Sequence, residues 1–171
     1  MKSEWIFNQI EALKFKKKIN LLDFASGSGR NSIPLLKKNI TITAIDNDQN
    51  KLNKYKHFNN INTICFDLET AQEWPLVKEY FDVIMVVNYL YRPKIKKIIN
   101  LLKKNGYLFY ETFSSGNERY GRPKNPNFLL KDRELLHIFG QDLLPISFFD
   151  GKCNYDKKAI KQRASFKKGV L

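Results

Sequence analysis

Cysteine is scarce in this sequence. Its 171 residues hold two, Cys65 and Cys153. They stand far apart, with no CxxC spacing and no histidine companion, so neither a disulfide framework nor a structural zinc site is expected. The two histidines, His57 and His137, add no ligand spacing. Arginine is also sparse: of 30 basic residues only six are arginine (30, 92, 119, 122, 133 and 163). Phosphate readers more often use the arginine fork. No apolar run approaches the roughly 20 residues of a membrane span. The opening stretch MKSEWIFNQIEALKFKKK lacks the apolar core and small-residue cleavage site of a signal peptide. The expectation is a soluble, cytoplasmic protein. Internal repeats and low-complexity tracts are absent as well.

What is present is a globular composition, 43% hydrophobic and 13% aromatic, in a length that suits one domain. The formal charge is +13 and the pI about 9.7. Such a balance favours nucleic acid, anionic membrane surfaces or acidic substrates. The lysines, however, come as short runs beside apolar segments (KFKKK, LLKK, KIKK, LLKK), a pattern of solvated helix surface. Cys65 sits inside an apolar run and reads as a small buried hydrophobe.

Apolar patterning alternates along the chain. Residues 3–17 carry Ile6, Ile10 and Leu13 at helical spacing. INLLDFA is a continuous apolar run, as in a strand buried on both faces. A helix is expected over 30–38, with Pro34 in its first turn. ITITAID, INTICFD and FDVIMVVNYL read as further strands, with a polar helix over 47–58 between the first two. A helix over 92–104 leads through a turn at Asn105–Gly106 into the strand NGYLFYETF. This alternation predicts βαβ crossovers and a mostly parallel sheet. Residues 114–128 form a long Gly/Asn/Pro loop, of the kind that is functional or disordered. A short helix at 129–138 follows. DLLPISFFD and KAIKQRASFKK then read as two antiparallel strands joined at Asp150–Gly151.

The segment LLDFASGSGR places two glycines, Gly27 and Gly29, between the first strand and the next helix. In a doubly wound sheet that turn lies where ligands bind, and small residues there let the backbone approach a ligand whose partners include amide groups. Asp46 ends the second strand, where a carboxylate can accept from a ribose diol. Asp67 ends the third, where it can accept from an adenine amine. The dinucleotide pattern G-x-G-x-x-G is broken at Ser32, and GxxxxGK[ST] is absent. Instead Asp23 lies beside the glycines. A carboxylate there opposes a pyrophosphate and suits a ligand bearing an ammonium and a sulfonium: S-adenosylmethionine (SAM).

LLDFASGSGR resembles motif I of the class I SAM-dependent methyltransferases, TAIDND their following acidic motif, and FDVIMVVNYLYRP their motif IV region. ETFSSGNERYGRPKNPNFLLKDRELL is similar to a signature of small bacterial tellurite-resistance-protein-like methyltransferases of unassigned substrate. The resemblance spans about residues 19–168. It implies a Rossmann-like, doubly wound α/β fold: a seven-stranded sheet, mostly parallel with the last strand antiparallel, and helices on both faces. It implies one methyltransferase domain over 1–171, with an N-terminal helix (1–18) over the cofactor site and an acceptor-side loop at 113–128. Asp23 and the backbone of Ala25, Ser26, Gly27, Gly29 and Arg30 would hold the methionine part of SAM. Asp46 would take the ribose hydroxyls and Asn47 would flank the adenine. Asp67 and Leu68 would bind the adenine edge, and Asn88 would sit beside the methyl group. Ala25 departs from the glycine that many members of the superfamily carry. Tyr89, Tyr91, Arg119, Arg122 and Asn125 are candidates for the acceptor side.

Each assignment has an ordinary alternative. Asp23 caps a turn, Asp46 and Asp67 are strand-end acids, Asn88 forms a turn, and the loop residues fix the loop or the core. Motif IV reads NYLY rather than [DN]PP[YF], which lowers exocyclic-amine methylation and leaves a thiol, chalcogen or other small molecule more open. The favoured reading is SAM-dependent methyl transfer to a small-molecule acceptor, with S-adenosylhomocysteine as product. The alternatives are a nucleic-acid methyltransferase using its lysine surface, and a SAM-binding protein without transferase activity.

Overall fold

INLLDF and FDVIMVV are the most apolar stretches, and they lie side by side in the middle of the sheet as β1 (Ile19–Phe24) and β4 (Phe81–Val87). The computed structural model describes residues 2–153 and 158–169. Its other strands are β2 (Ile40–Asp46), β3 (Ile61–Cys65), β5 (Leu102–Phe113), β6 (Leu144–Cys153) and β7 (Ala159–Lys167). The order across the sheet is β3-β2-β1-β4-β5-β7-β6. Strands β1 to β5 pair in parallel, and β7 runs antiparallel to both β5 and β6. This is a doubly wound sheet, mostly parallel, with its antiparallel pairing confined to β5-β7-β6. The chain winds outward from β1 to β3 and then returns to β4 on the other side of β1. The switch point therefore falls between β1 and β4, where such sheets bind ligands.

Both sheet faces are covered, as the unbroken apolar runs require. On one face Leu21, Val83, Met85 and Phe109 pack against Ile6 and Ile10 of α1 (Glu4–Ala12) and against Leu35. On the other, Leu22, Phe24, Ile84, Val86 and Leu108 pack against Leu135 and Phe139 of α3 (Glu134–Phe139). The helix α1 begins at Ser3, whose hydroxyl accepts from Ile6 N–H at 3.2 Å.

Several expected elements are shorter than their patterns suggest. No α-helix spans 30–38. A single 3-10 turn at Ile33–Leu35 stands there. Pro34 lacks the N–H that a longer helix needs and biases Ile33 away from the α region. The polar helix of 47–58 shrinks to α2 (Gln49–Leu52) followed by a 3-10 turn at Asn53–Tyr55. Residues Ile95–Leu101 are also 3-10. Ile95, Ile98 and Leu101 are the buried positions, a spacing of three that matches three residues per turn. Leu102 then pairs with Phe81, so the sheet claims what the pattern gave to the helix. Asn105–Gly106 is not the entry to β5 but an irregularity inside it, with Asn105 at φ +64° and the register shifting beside Phe81. Asp150 and Gly151 lie within β6, opposite Gln162 and Lys161. β6 ends at Cys153 and β7 begins at Ala159, and residues 154–157 lie outside the described residues. Cys65 is exposed rather than buried, because β3 is the sheet's edge strand.

One buried charge ties three elements together. Glu111 of β5 is 2% exposed. Its carboxylate accepts from Lys161 at 2.7 Å, from Arg163 at 2.8 Å and from the Ser3 hydroxyl at 3.0 Å. Burial pushes this carboxyl upward, but Lys161 and Arg163 outweigh it and hold the group below its ordinary range. A carboxyl so lowered contributes stability above its unfolded pKa, and that contribution disappears as pH falls through the lower folded value. Replacing Glu111→Gln should destabilise the protein by about 3 kcal/mol at pH 7, because two partly buried cations lose their counter-charge. Thermal melts should show that gap closing in acid. A gap that stays constant down to pH 3 would show that the loss is one of packing.

Candidate functional site

A cleft of about 500 Å³ opens at the C-terminal ends of β1 to β4, at the switch point. Its walls include Ala25, Ser26, Gly27, Ser28, Arg30, Asn31, Asp46, Asn47, Lys51, Phe66, Asp67, Leu68, Glu69, Val87, Asn88 and Tyr89. Nine of the eleven residues expected at a cofactor site are among them; Asp23 and Gly29 are not.

The turn after β1 is built from left-handed residues. Ala25 (φ +58°), Gly27 (φ +57°) and Gly29 (φ +83°) all lie there. The two glycines serve different ends. A Cβ on Gly27 would meet nothing within 4 Å, so that glycine is needed for its backbone conformation beside the cleft. A Cβ on Gly29 would fall 2.7 Å from Ile33 and 2.8 Å from Tyr55. Gly29 is thus a packing position behind the turn. Ala25 accepts a conformation that costs an L-residue about 1–2 kcal/mol.

Asp46 holds this turn in place. One carboxylate oxygen accepts from Gly27 N–H at 2.8 Å and the other from Asp48 N–H at 3.1 Å. Ser26 N–H donates to Ile45 C=O at 2.9 Å. A carboxylate has about four lone-pair sites, so Asp46 keeps acceptor capacity for a ligand. Asp67 similarly accepts from Glu69 N–H at 2.9 Å while lining the cleft. Asn88 also sits in the left-handed region, at φ +55°. Its N–H donates to Glu111 C=O at 2.8 Å, and its side-chain oxygen accepts from Lys161 at 2.9 Å.

Two buried oxygens lack a hydrogen-bond partner among the described residues and flank the cleft: Asp23 Oδ2 and the Tyr89 hydroxyl. Asp23 is 1% exposed and lies beneath the turn, near Ser32, whose hydroxyl is 3.2 Å from that of Tyr55. Burial pushes the Asp23 carboxyl up to about 7, with Ser32 and Arg30 pulling the other way and Asp46 adding to the rise. The Tyr89 phenol is raised by burial and by Glu69 and Asp67, so it remains a proton donor.

The acceptor-side candidates separate. Tyr89 lines the cleft, but toward Asp67 and Glu69 rather than beyond Asn88. Arg122 and Asn125 line a different hollow of about 460 Å³ with Pro123, Lys124 and Phe128. Tyr91 and Arg119 line neither. The long loop is fixed by a residue not singled out in the sequence. Arg92 clasps Glu134 through two nitrogens, at 2.6 and 2.8 Å, and donates to the carbonyls of Asn127 and Leu129. Asn31, Lys51, Phe66 and Glu69 were also not singled out for the cleft, since none belongs to a motif. Asn31 accepts from Ser3 N–H at 2.8 Å, which brings the start of α1 against the cleft wall.

The methyltransferase domain family model matches residues 21–106. No curated protein matches the sequence. Among solved structures, TehB from Haemophilus influenzae superposes with a TM-score of 0.72 at 21% identity, over 94% of this chain and 61% of that one. The chain thus spans about three fifths of TehB. A SAM-dependent methyltransferase from Methanosarcina mazei gives 0.71 at 16% identity, over 95% and 98% of the two chains. The N-methyltransferase NodS from Bradyrhizobium japonicum WM9 gives 0.68 at 16%, over 97% and 96%. At these identities the likeness is one of fold.

The carboxyl of Asp23 gives a test in the free protein. Its folded pKa is raised above the unfolded 3.8, so its contribution to stability is present below about pH 4 and is lost as pH rises through about 7. Between those values wild type should lose up to about 1.4 kcal/mol per pH unit relative to Asp23→Asn. Parallel melting curves for the two proteins from pH 4 to 8 would rule this titration out.

Proposed function

The chain belongs to the methyltransferase domain family, and on that premise we propose that it is a SAM-dependent enzyme that methylates a small-molecule acceptor in the cytoplasm. One observation supports this placement of the chemistry above others: the residues expected around SAM gather on one cleft at the switch point. The donor set also fits that ligand. Three carboxylates, Asp46, Asp67 and Glu69, line the cleft against two cations, Arg30 and Lys51. Such walls suit a ligand with a diol, an amine and positive charge, and oppose a pyrophosphate.

In this reading the backbone from Ala25 to Gly27 lies along the methionine part, and Asp46 accepts from the ribose hydroxyls with its remaining lone pairs. Asn47 flanks the adenine, while Asp67 and Leu68 meet its edge. Asp23 acts from beneath the turn rather than as a contact, and a positively charged ligand above it draws its raised carboxyl toward the ionised form. Tyr89 moves from the acceptor side to the cofactor side, where its hydroxyl donates to the ligand. Asn88, held through its N–H and its side chain, faces the reacting end.

Bound SAM supplies a methyl group already activated on a sulfonium centre. What remains for the chain is to align the acceptor, a contribution that can reach several kcal/mol, and to keep water out. No histidine or cysteine lines the cleft, which favours an acceptor that ionises unaided, such as a thiol or chalcogen. A nucleic-acid acceptor is less favoured, because the cleft's own charges are mostly acidic.

Calorimetric titration with SAM and S-adenosylhomocysteine tests the reading. Wild type should bind both at micromolar strength, and no binding of either would remove the cleft as a cofactor site. Asp46→Ala should weaken SAM binding by about 2 kcal/mol, or ~30-fold. Tyr89→Phe carries two opposite expectations. The variant should melt higher, because a buried hydroxyl without a partner costs about 1–3 kcal/mol. It should also bind SAM several-fold more weakly. Unchanged affinity would take Tyr89 out of the site.

A further inference from the structure

The lysine runs are far apart in the chain, yet three of them meet in space and are joined there by a further pair, Lys167 and Lys168. KFKKK (residues 14–18) leads into β1, and Lys37 and Lys38 precede β2. Lys103 and Lys104 lie near the start of β5, and Lys167 and Lys168 at the end of antiparallel β7. Parallel strands that start together put all four groups on one edge of the sheet. The register confirms it: Ile19 N–H donates to Asn39 C=O, and Asn105 N–H to Lys168 C=O. The three runs and the pair hold ten lysines. Three are paired: Lys37 with Glu11, Lys103 with Asp82 and Lys168 with Glu79. The other seven have no carboxylate within 4 Å among the described residues.

This edge is concave. A trough of about 330 Å³ is lined there by Lys16, Lys17, Lys18 and Lys104, by Phe15 and Tyr107, and by Asp82, whose carboxylate is paired with Lys103 at 2.9 Å. Tyr107 is half-buried and stacks on Phe109 at 6.3 Å, and Lys167 lies 5.5 Å from its ring. Lysines and aromatic rings lining one trough match what a flexible phosphate backbone and its bases require. No arginine lines the trough, so the forked contacts that read base edges are missing and binding there is indifferent to sequence. A bilayer, being flat, would touch the rim of a trough and leave its walls unused.

We propose that this edge is a binding site for single-stranded nucleic acid, separate from the cofactor cleft. The two lie at opposite ends of the strands, about 20 Å apart over the length of β1. The nucleotides seated in the trough are thus held apart from the reacting end of the cleft. Strand binding at this edge requires neither a particular acceptor nor SAM in the cleft.

Fluorescence anisotropy with a labelled 20-nucleotide oligouridylate, from 50 to 200 mM KCl, tests it. Wild type should bind, with affinity falling steeply as salt rises. Lys16→Gln, Lys17→Gln and Lys18→Gln together should weaken binding at least tenfold at 100 mM and reduce the salt slope by about 2, or roughly 0.7 for each phosphate no longer neutralised. Lys38→Gln with Lys104→Gln should reduce it by about 1.4. A control of equal charge, Lys54→Gln, Lys56→Gln and Lys97→Gln, should stay within twofold of wild type. SAM titration and thermal melts on the same proteins report that each is folded. Absence of oligouridylate binding by wild type would overturn the proposal. So would equal weakening by the two triple variants, which would reduce the effect to net charge. Capture by phosphatidylserine vesicles that depends on Lys16–Lys18, with no oligouridylate binding, would assign the edge to a membrane and likewise overturn it.

Discussion

The cleft depends on one carboxylate. Asp46 receives N–H groups from Gly27 and Asp48 on its two oxygens, and so joins the turn after β1 to the turn after β2. In many doubly wound proteins a long helix follows the first turn and fixes it from behind. Here Pro34 and the short path to β2 leave only a 3-10 turn. With little helix to fix the loop at 25–31, Asp46 does so from the side. At 8% exposure its charge is shielded from water, and the amide donors offset that desolvation. Asp23 is the contrast. It is of the same residue type and deeper, with one oxygen left unpartnered, and its proton is correspondingly hard to remove.

A second buried carboxylate organises the other side of the cleft. Glu111 gathers Lys161 and Arg163 from β7 and Ser3 from the start of α1. Lys161 reaches on to Asn88. The N-terminal helix, the antiparallel strand and the end of β4 are therefore coupled through one charge. Arg163 also lies about 6 Å from the rings of Trp5 and Phe149, which extends the cluster to β6. Separately, Arg92 does for the long loop what Glu111 does for the sheet, by joining α3 to the carbonyls of Asn127 and Leu129.

Charge is unevenly distributed along the strands. Carboxylates gather at their C-terminal ends, in the cleft, and lysines at the opposite edge. A net charge of +13 says nothing of this polarity. The cleft stays hospitable to a positively charged ligand although the chain as a whole repels one.

Much of the architecture was legible in the residues. Continuous apolar runs marked the buried strands, because burial on both faces leaves no room for polar alternation. Acids at the ends of β2 and β3 and small residues after β1 marked the cleft, because a switch point exposes those positions together. Motif I and its neighbours indicated the cofactor for the same reason. Only the tertiary structure decided the rest. The extent of the helices turned on competition: Leu102 satisfies either a helix face or a ladder, and Phe81 was already in place to pair with it. Cys65 is apolar by its neighbours and exposed by its strand's position at the edge, which no local pattern encodes. Gly27 and Gly29 look alike in sequence and differ in what surrounds them. The lysine runs at 14–18, 37–38 and 103–104 looked like solvated surface one at a time. They form a single edge because parallel strands bring their starts together, and that is a property of the sheet rather than of any run within it.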